Sequence, residues 1–201
     1  MAKRFVTTTA IIILVLLTAN TVLAARILAV PTADLKAEGV GVFEYAYTRG
    51  SSRFAVNWGL LPRLNLSLGG DGGRFFAGFK VGILAEGADP FGLALGGEVG
   101  AERSEFYGVL SKQLGETPGL RGHFALGTGK YKRGLAGVSF TLNPVRLKTE
   151  RGLTLPAASV LAAYDGSGFT AGVGAVFSPD VKAYVALEDF RSLGLGVALA
   201  F

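Results

Sequence analysis

The nine residues from Leu193 to Phe201, LGLGVALAF, decide the fold of this chain. Side chains along a β-strand point to alternate faces, so every second residue shares a face. Bulky side chains occupy one face of this stretch, namely Leu193, Leu195, Val197, Leu199 and Phe201. The other face carries only Gly and Ala, whereas a strand of a soluble antiparallel sheet places polar side chains there. The pattern predicts a transmembrane strand with lipid on its bulky face and a lumen on its small-residue face.

The composition of the whole chain fits that interpretation. The chain has 201 residues, which is enough for one domain. Charged residues make up 17%, compared with about 25% in soluble proteins. The chain has no Cys, which excludes disulfides, thiolate nucleophiles and Cys-based metal sites. The net charge of +5 is small and scattered along the chain, so we expect no nucleic-acid partner.

The N-terminus has the layout of an export signal. A short positive start, Met1–Arg4, precedes an apolar run from Phe5 to Leu23, and small residues follow at Val22–Ala24. This layout predicts a signal peptide cleaved at Ala24. An uncleaved anchor is the alternative, because about 19 apolar residues just span a bilayer. We therefore divide the chain into a signal peptide (1–24), an N-terminal lead-in segment (25–39) and a β-barrel domain (40–201).

The barrel domain repeats one rhythm, a strand-like run followed by a short turn rich in Gly, Asp, Ser or Pro. About twelve runs can be recognised, at 40–49, 53–60, 64–69, 75–84, 91–98, 105–112, 122–129, 135–142, 155–164, 169–177, 181–188 and 193–201. An even number of strands lets an up-and-down meander close with both ends on one side, which we place in the periplasm. The predicted fold is all-β, a closed antiparallel transmembrane barrel in the cell outer membrane.

The small-residue faces carry occasional polar and charged side chains, which we expect to line the lumen. These lumen candidates are Glu44, Arg53, Asn57, Lys80, Glu98, Lys182, Tyr184 and Glu188. Because they carry charge of both signs, they could pair with one another across a lumen. A soluble barrel with its bulky face inward is the alternative, but it requires a densely charged outer face that the sequence does not show.

The aromatic residues allow two interpretations. Tyr45, Tyr47, Trp58 and Tyr107 could stack against sugars, but aromatics also form the girdles where a barrel meets the lipid headgroups. We favour girdle positions for those on the bulky face. Tyr184 falls on the small-residue face and is therefore a candidate for contact with a solute in the lumen.

Two parts of the chain resemble known outer-membrane proteins. Leu195, Val197, Leu199 and Phe201 resemble the C-terminal signal that the barrel assembly machinery reads. Short motifs within residues 27–97 resemble YjbH-like outer-membrane proteins; they are Ile27–Asp34, Gly39, Trp58–Leu64 and Phe79–Val81. This second resemblance implies a link to exopolysaccharide or capsule export and supplies no catalytic residues.

The sequence offers one arrangement to weigh as a catalytic site. His123 is the only histidine, and Ser111 and Ser139 lie on predicted neighbouring strands. A lipid-acting barrel enzyme needs its Ser and His on the lipid face, whereas alternation turns His123 towards the lumen. We therefore interpret His123 as a residue that fills the barrel or lies at its rim, and we expect no enzymatic activity, no cofactor and no metal.

The sparsely charged lumen face favours a small channel or an envelope-structural protein, with a possible accessory role in exopolysaccharide export as the finer hypothesis. Expected partners are outer-membrane lipids, the barrel assembly machinery, and polysaccharide or small solutes. A soluble secreted or periplasmic ligand-binding barrel is the second hypothesis, and a lipid-acting barrel enzyme is the third.

Overall fold

A computed structural model of the chain describes residues 26–27, 30–48, 50–115, 119–143, 147–148 and 154–201. The predicted signal peptide at residues 1–24 lies outside these ranges. Within them, twelve antiparallel strands form one closed barrel, which confirms the predicted fold class. No helix in the described part of the chain is long and apolar enough to cross a membrane.

The barrel is an up-and-down meander in which each strand pairs with the next along the chain. Its strands are β1 (Gly41–Thr48), β2 (Ser51–Leu61), β3 (Leu64–Asp71), β4 (Arg74–Leu84), β5 (Gly92–Gly100), β6 (Ser104–Gln113), β7 (Leu120–Gly127), β8 (Leu135–Asn143), β9 (Ala157–Tyr164), β10 (Phe169–Val176), β11 (Val181–Glu188) and β12 (Ser192–Ala200). The barrel closes where β12 pairs with β1. Two shorter strand pairs are not part of the barrel sheet, Arg26–Ile27 with Val30–Pro31 and Leu147–Lys148 with Thr154–Leu155.

Both ends of the barrel domain lie at the same rim. Gly41 and Phe201 exchange two backbone hydrogen bonds, with N···O distances of 3.0 and 2.9 Å. The even number of described strands is the reason, because each strand reverses the chain direction. We call this the terminal rim, and we call the opposite end, which carries the turn between β1 and β2, the loop rim.

The two faces of the barrel wall have the reverse of the burial expected in water. Large apolar side chains are exposed on the outside, where Phe75 and Leu68 are 76% and 67% exposed. Charged side chains are buried inside, where Lys80 and Glu105 are 8% and 7% exposed. Water would not solvate such an exterior favourably, whereas hydrocarbon does. This inversion contradicts the soluble-barrel alternative, which required the bulky face to point inward.

Strand β6 was ambiguous in the sequence because bulky residues occupy both of its faces. In the structure Phe106 and Leu110 point outward and are exposed, whereas Tyr107 and Val109 point inward and are buried. Strand β6 therefore keeps regular alternation, and its inward bulk fills space in the lumen. Strand β9 begins at Ala157, directly after Pro156, whose missing N–H suits a position just outside a strand.

Candidate functional site in the barrel lumen

Residues 30–36, the lumen segment, lie inside the barrel. Val30 and Thr32 are fully buried. The Cβ atom of Val30 lies 3.5 Å from the position that a Cβ atom on Gly137 of β8 would occupy. The Cβ atom of Ala33 lies 3.2 Å from the corresponding position on Gly92 of β5. Because Gly92 and Gly137 face the lumen, the predicted lead-in segment contributes part of the lumen filling.

A carboxylate–guanidinium pair ties the lumen segment to the wall. The two Nη atoms of Arg121 on β7 donate to the two carboxylate oxygens of Asp34, each at 3.0 Å. Arg121 also pairs with Glu86, whose carboxylate accepts a hydrogen bond from the backbone N–H of Gln113. This arrangement joins the segment to β7 through a partly buried three-residue cluster.

Hydrogen bonds also fix backbone groups of the lumen segment to the wall. Lys80 Nζ on β4 donates to the carbonyl oxygens of Thr32 and Asp34, at 3.1 and 2.8 Å. The backbone N–H of Ala33 donates to Ser111 Oγ on β6 at 2.8 Å. Lys80 was predicted to line the lumen, and these bonds show which groups it holds there. Ser111 was considered only as a partner of His123.

Where the wall faces the lumen segment, glycines leave space for the segment. A Cβ atom on Gly59 of β2 would collide with the carbonyl oxygen of Ala37, just beyond the segment. A Cβ atom on Gly82 of β4 would lie 2.5 Å from Leu35 Cδ1. A polypeptide can therefore approach the wall closely only because these positions lack side chains.

A second charged network crosses the lumen towards the loop rim. Arg53 on β2 donates to Asp71 and Glu98, both at 2.9 Å. Lys130 pairs with Glu98 at 2.7 Å and with Glu105 at 2.9 Å. Most of these groups are partly shielded from water, so their charges are compensated locally. The charges of both signs that the sequence placed inside the barrel therefore include real ion pairs.

A short 3₁₀ helix, Gly129–Arg133, folds from the loop rim into the lumen. It carries Lys130 into the network, and it buries Tyr131 against Tyr107, with ring centroids 4.6 Å apart. The alternation pattern did not predict this element, which contains the basic run from Lys130 to Arg133. Tyr107 is thus a lumen residue and not a girdle residue.

The eight predicted lumen candidates all lie on the inner face, in different surroundings. Glu44 pairs with Lys36 of the lumen segment at 3.7 Å. Lys182 Nζ and Asn57 Nδ2 are buried, and neither has a hydrogen-bond partner among the described residues. The Tyr184 ring occupies space that Gly196 leaves free, and Glu188 lies beside an open concavity at the loop rim. Their role in binding or conduction stays a prediction.

His123 lies in the lumen, on the side that alternation predicted. Its Nδ1 atom is 2.8 Å from Ser111 Oγ, and its Nε2 atom has no partner in the described part of the chain. The residue is only 4% exposed, and the backbone of Ala33 covers the serine. The Ser111–His123 pair therefore does not face the lipid, where a lipid-acting enzyme would need it. Within the described ranges no three His, Asp or Glu side chains are grouped to hold a metal ion.

The lumen is narrow, and beside β2–β5 little of it is unfilled. The twelve described strands, spaced about 4.8 Å apart and tilted by about 40°, enclose a cylinder roughly 24 Å across between backbones. Inward side chains on both sides leave room for about one extended chain. Beside β2–β5 the unfilled cavity measures about 50 Å³, room for roughly three or four waters and far below the 300–1,000 Å³ of ordinary ligand pockets.

A closed barrel with a lipid-solvated exterior and a polar, charged interior defines a transmembrane β-barrel, and the protein is located in the outer membrane. No family model matches the sequence, and no curated protein shows significant similarity to it. The YjbH-like resemblance of residues 27–97 thus has no support from these comparisons.

Solved structures share the fold at low sequence identity. The KdgM porin superposes with a TM-score of 0.52 at 12% identity, covering 81% of this chain and 98% of that chain. The KdgM porin in complex with disordered oligogalacturonate gives a TM-score of 0.53 with the same identity and coverage. An outer-membrane channel from Pseudomonas putida F1 is 13% identical, with a TM-score of 0.47 over 84% of this chain and 97% of its own.

Proposed function

We propose that this protein is a small outer-membrane channel whose passage is occupied by the lumen segment, residues 30–36, and opens when that segment is displaced. One observation carries the proposal. Part of the lumen is filled by residues 30–37, a stretch outside the barrel sheet that lies against Gly59, Gly82, Gly92 and Gly137 of the wall. A filling of this kind can leave without unfolding the barrel.

The alternative is a purely structural barrel. Small barrels without a passage fill their interiors with wall side chains, and Tyr107, Leu161 and Leu135 do so here on part of the circumference. The wall facing the lumen segment instead combines glycines with the polar groups of Lys80, Ser111 and Arg121. With the segment removed, those groups would line a wet passage, which favours the channel.

The experiment is single-channel recording in planar bilayers. We expect brief, rare openings from the wild-type protein and sustained conductance from a variant that lacks residues 30–36. Heat-modifiable migration on a detergent gel must first show that the variant forms a closed barrel. A folded deletion variant that conducts no better than the wild type would refute the channel and leave the structural role.

The identity of the solute is a finer proposal. The KdgM porin has been solved with disordered oligogalacturonate, an oligosaccharide, which supports testing oligosaccharides on a barrel of the same fold. An accessory role in exopolysaccharide export stays a hypothesis, since it comes only from the YjbH-like resemblance. That the protein has no enzymatic activity likewise stays a prediction.

A further inference from the structure

We propose that Arg121 and Lys80 form a carboxylate-binding site in the lumen, which Asp34 fills in this structure and which a carboxylate-bearing solute fills when the lumen segment is displaced. The inference rests on the proposed channel function and names the class of solute that the passage recognises. In this view the lumen segment occupies its own channel as a stand-in for the solute.

The geometry of the Asp34 contact is the first argument. Both carboxylate oxygens are held by the Arg121 guanidinium at 3.0 Å, in the fork-to-fork arrangement with which arginine binds free carboxylates. Asp34 lies 87 residues from Arg121 in the chain and belongs to a segment without strand partners in the barrel wall. The carboxylate is therefore presented to the wall much as a ligand would be.

The second argument concerns the polar wall groups that would lose their present partners if the segment were displaced. Displacement of the segment removes two carbonyl acceptors from Lys80 Nζ and the amide donor from Ser111 Oγ. It also removes the Asp34 charge, which leaves Glu86 as the remaining carboxylate bonded to Arg121. Water entering the opened passage can hydrogen-bond to these groups, but it does not replace the lost negative charge. An incoming carboxylate supplies both the missing charge and the missing acceptors.

The surroundings of the site offer a further polar contact. His123 Nε2 is buried, and within the described ranges it has no hydrogen-bond partner. His123 is linked to the segment through Ser111, whose Oγ atom contacts both His123 Nδ1 and the Ala33 amide. The space vacated is one extended chain wide, which favours a slender solute such as a sugar acid or a linear chain of such units.

Isothermal titration calorimetry of the purified full-length protein in detergent tests the site without requiring conduction. The probe is glucuronate, and glucose serves as its uncharged counterpart. We expect Asp34→Asn to bind glucuronate at least tenfold more tightly than the wild type, because the competing carboxylate is gone. Glucose should show no such gain. The double variant Asp34→Asn/Arg121→Gln should lose the gain.

A matched control uses a second arginine of the lumen, Arg53, which also pairs with carboxylates. Asp71→Asn removes a partner of Arg53 at the loop rim, and this variant should bind glucuronate as weakly as the wild type. Equal affinities of Asp34→Asn and the wild type would overturn the site, as would tight binding that survives Arg121→Gln. A channel that opens but binds no glucuronate would refute this inference alone. Glucuronate binding without any conductance would refute the proposed channel.

Discussion

A disulfide that fastens the lumen segment to the wall should close the channel reversibly. The pair Val30→Cys/Gly137→Cys places two Cβ atoms 3.5 Å apart, at the lower limit of the 3.5–4.5 Å typical of disulfides. Gly137 has room for the new side chain, since its next neighbour, the carbonyl oxygen of Ala162, is 3.6 Å away. The natural chain has no Cys, so only the engineered pair can form a bond.

The size of the effect follows from the contacts that hold the segment. Five hydrogen bonds tie it to Ser111, Lys80 and Arg121. At a net value of about 1 kcal/mol each they total about 5 kcal/mol, which corresponds to an open fraction of roughly 1 in 5,000. Asp34→Ala removes two of these bonds, about 2 kcal/mol on the same scale, and should raise the open fraction about thirtyfold.

The assay is planar-bilayer recording of Asp34→Ala with and without the cysteine pair. We expect frequent openings from Asp34→Ala, their loss in the oxidised triple variant, and their return after a reducing agent is added. Double variants that combine Asp34→Ala with only one of the two cysteines should be insensitive to oxidation. If the oxidised, cross-linked protein conducts as the reduced protein does, the segment does not block the passage and the reasoning fails.

Three further variants test other parts of the structure. Gly59→Ala should raise the open fraction, because a Cβ atom there collides with the Ala37 carbonyl. The control Gly108→Ala, whose nearest neighbour would be 3.5 Å away, should leave the open fraction unchanged. Equal bilayer recordings from the two variants would contradict the close approach of Ala37 to Gly59. Val185→Arg, on the outside near the middle of β11, should lower the free energy of unfolding in lipid vesicles by about 2–4 kcal/mol, and Val181→Arg at the strand end by about 0–1 kcal/mol. A denaturant titration that shows no difference between them would argue against lipid at this face. Phe201→Ser should lower the heat-modifiable fraction of the protein in isolated membranes, because it removes the terminal aromatic of the predicted assembly signal and its packing on Gly41. Phe190→Ser is the control, since Phe190 is similarly exposed. Equal heat-modifiable fractions would show that Phe201 is not part of the signal.

Alternation was enough to predict the wall of this barrel. A strand exposes its two faces to two environments, so the period of two in Leu193–Phe201 assigned lipid and lumen without knowledge of any partner strand. The same rule placed Lys80 and Lys182 inside, where the structure has them. It was undecided at β6, because bulky residues on both faces give no contrast, and there the fit of Tyr107 against Tyr131 decides the arrangement.

The contents of the lumen depended on tertiary structure. Residues 30–36 show no alternation, and their partners Lys80, Ser111 and Arg121 are 46 to 87 residues away in sequence. Neither the segment nor the wall encodes that contact locally. The contact exists because closure of the strands leaves a polar space about one chain wide, in which a carboxylate and a guanidinium are each other's best available partners. The sequence by itself thus determined what faces the lipid, and only the closed barrel decided what fills the interior.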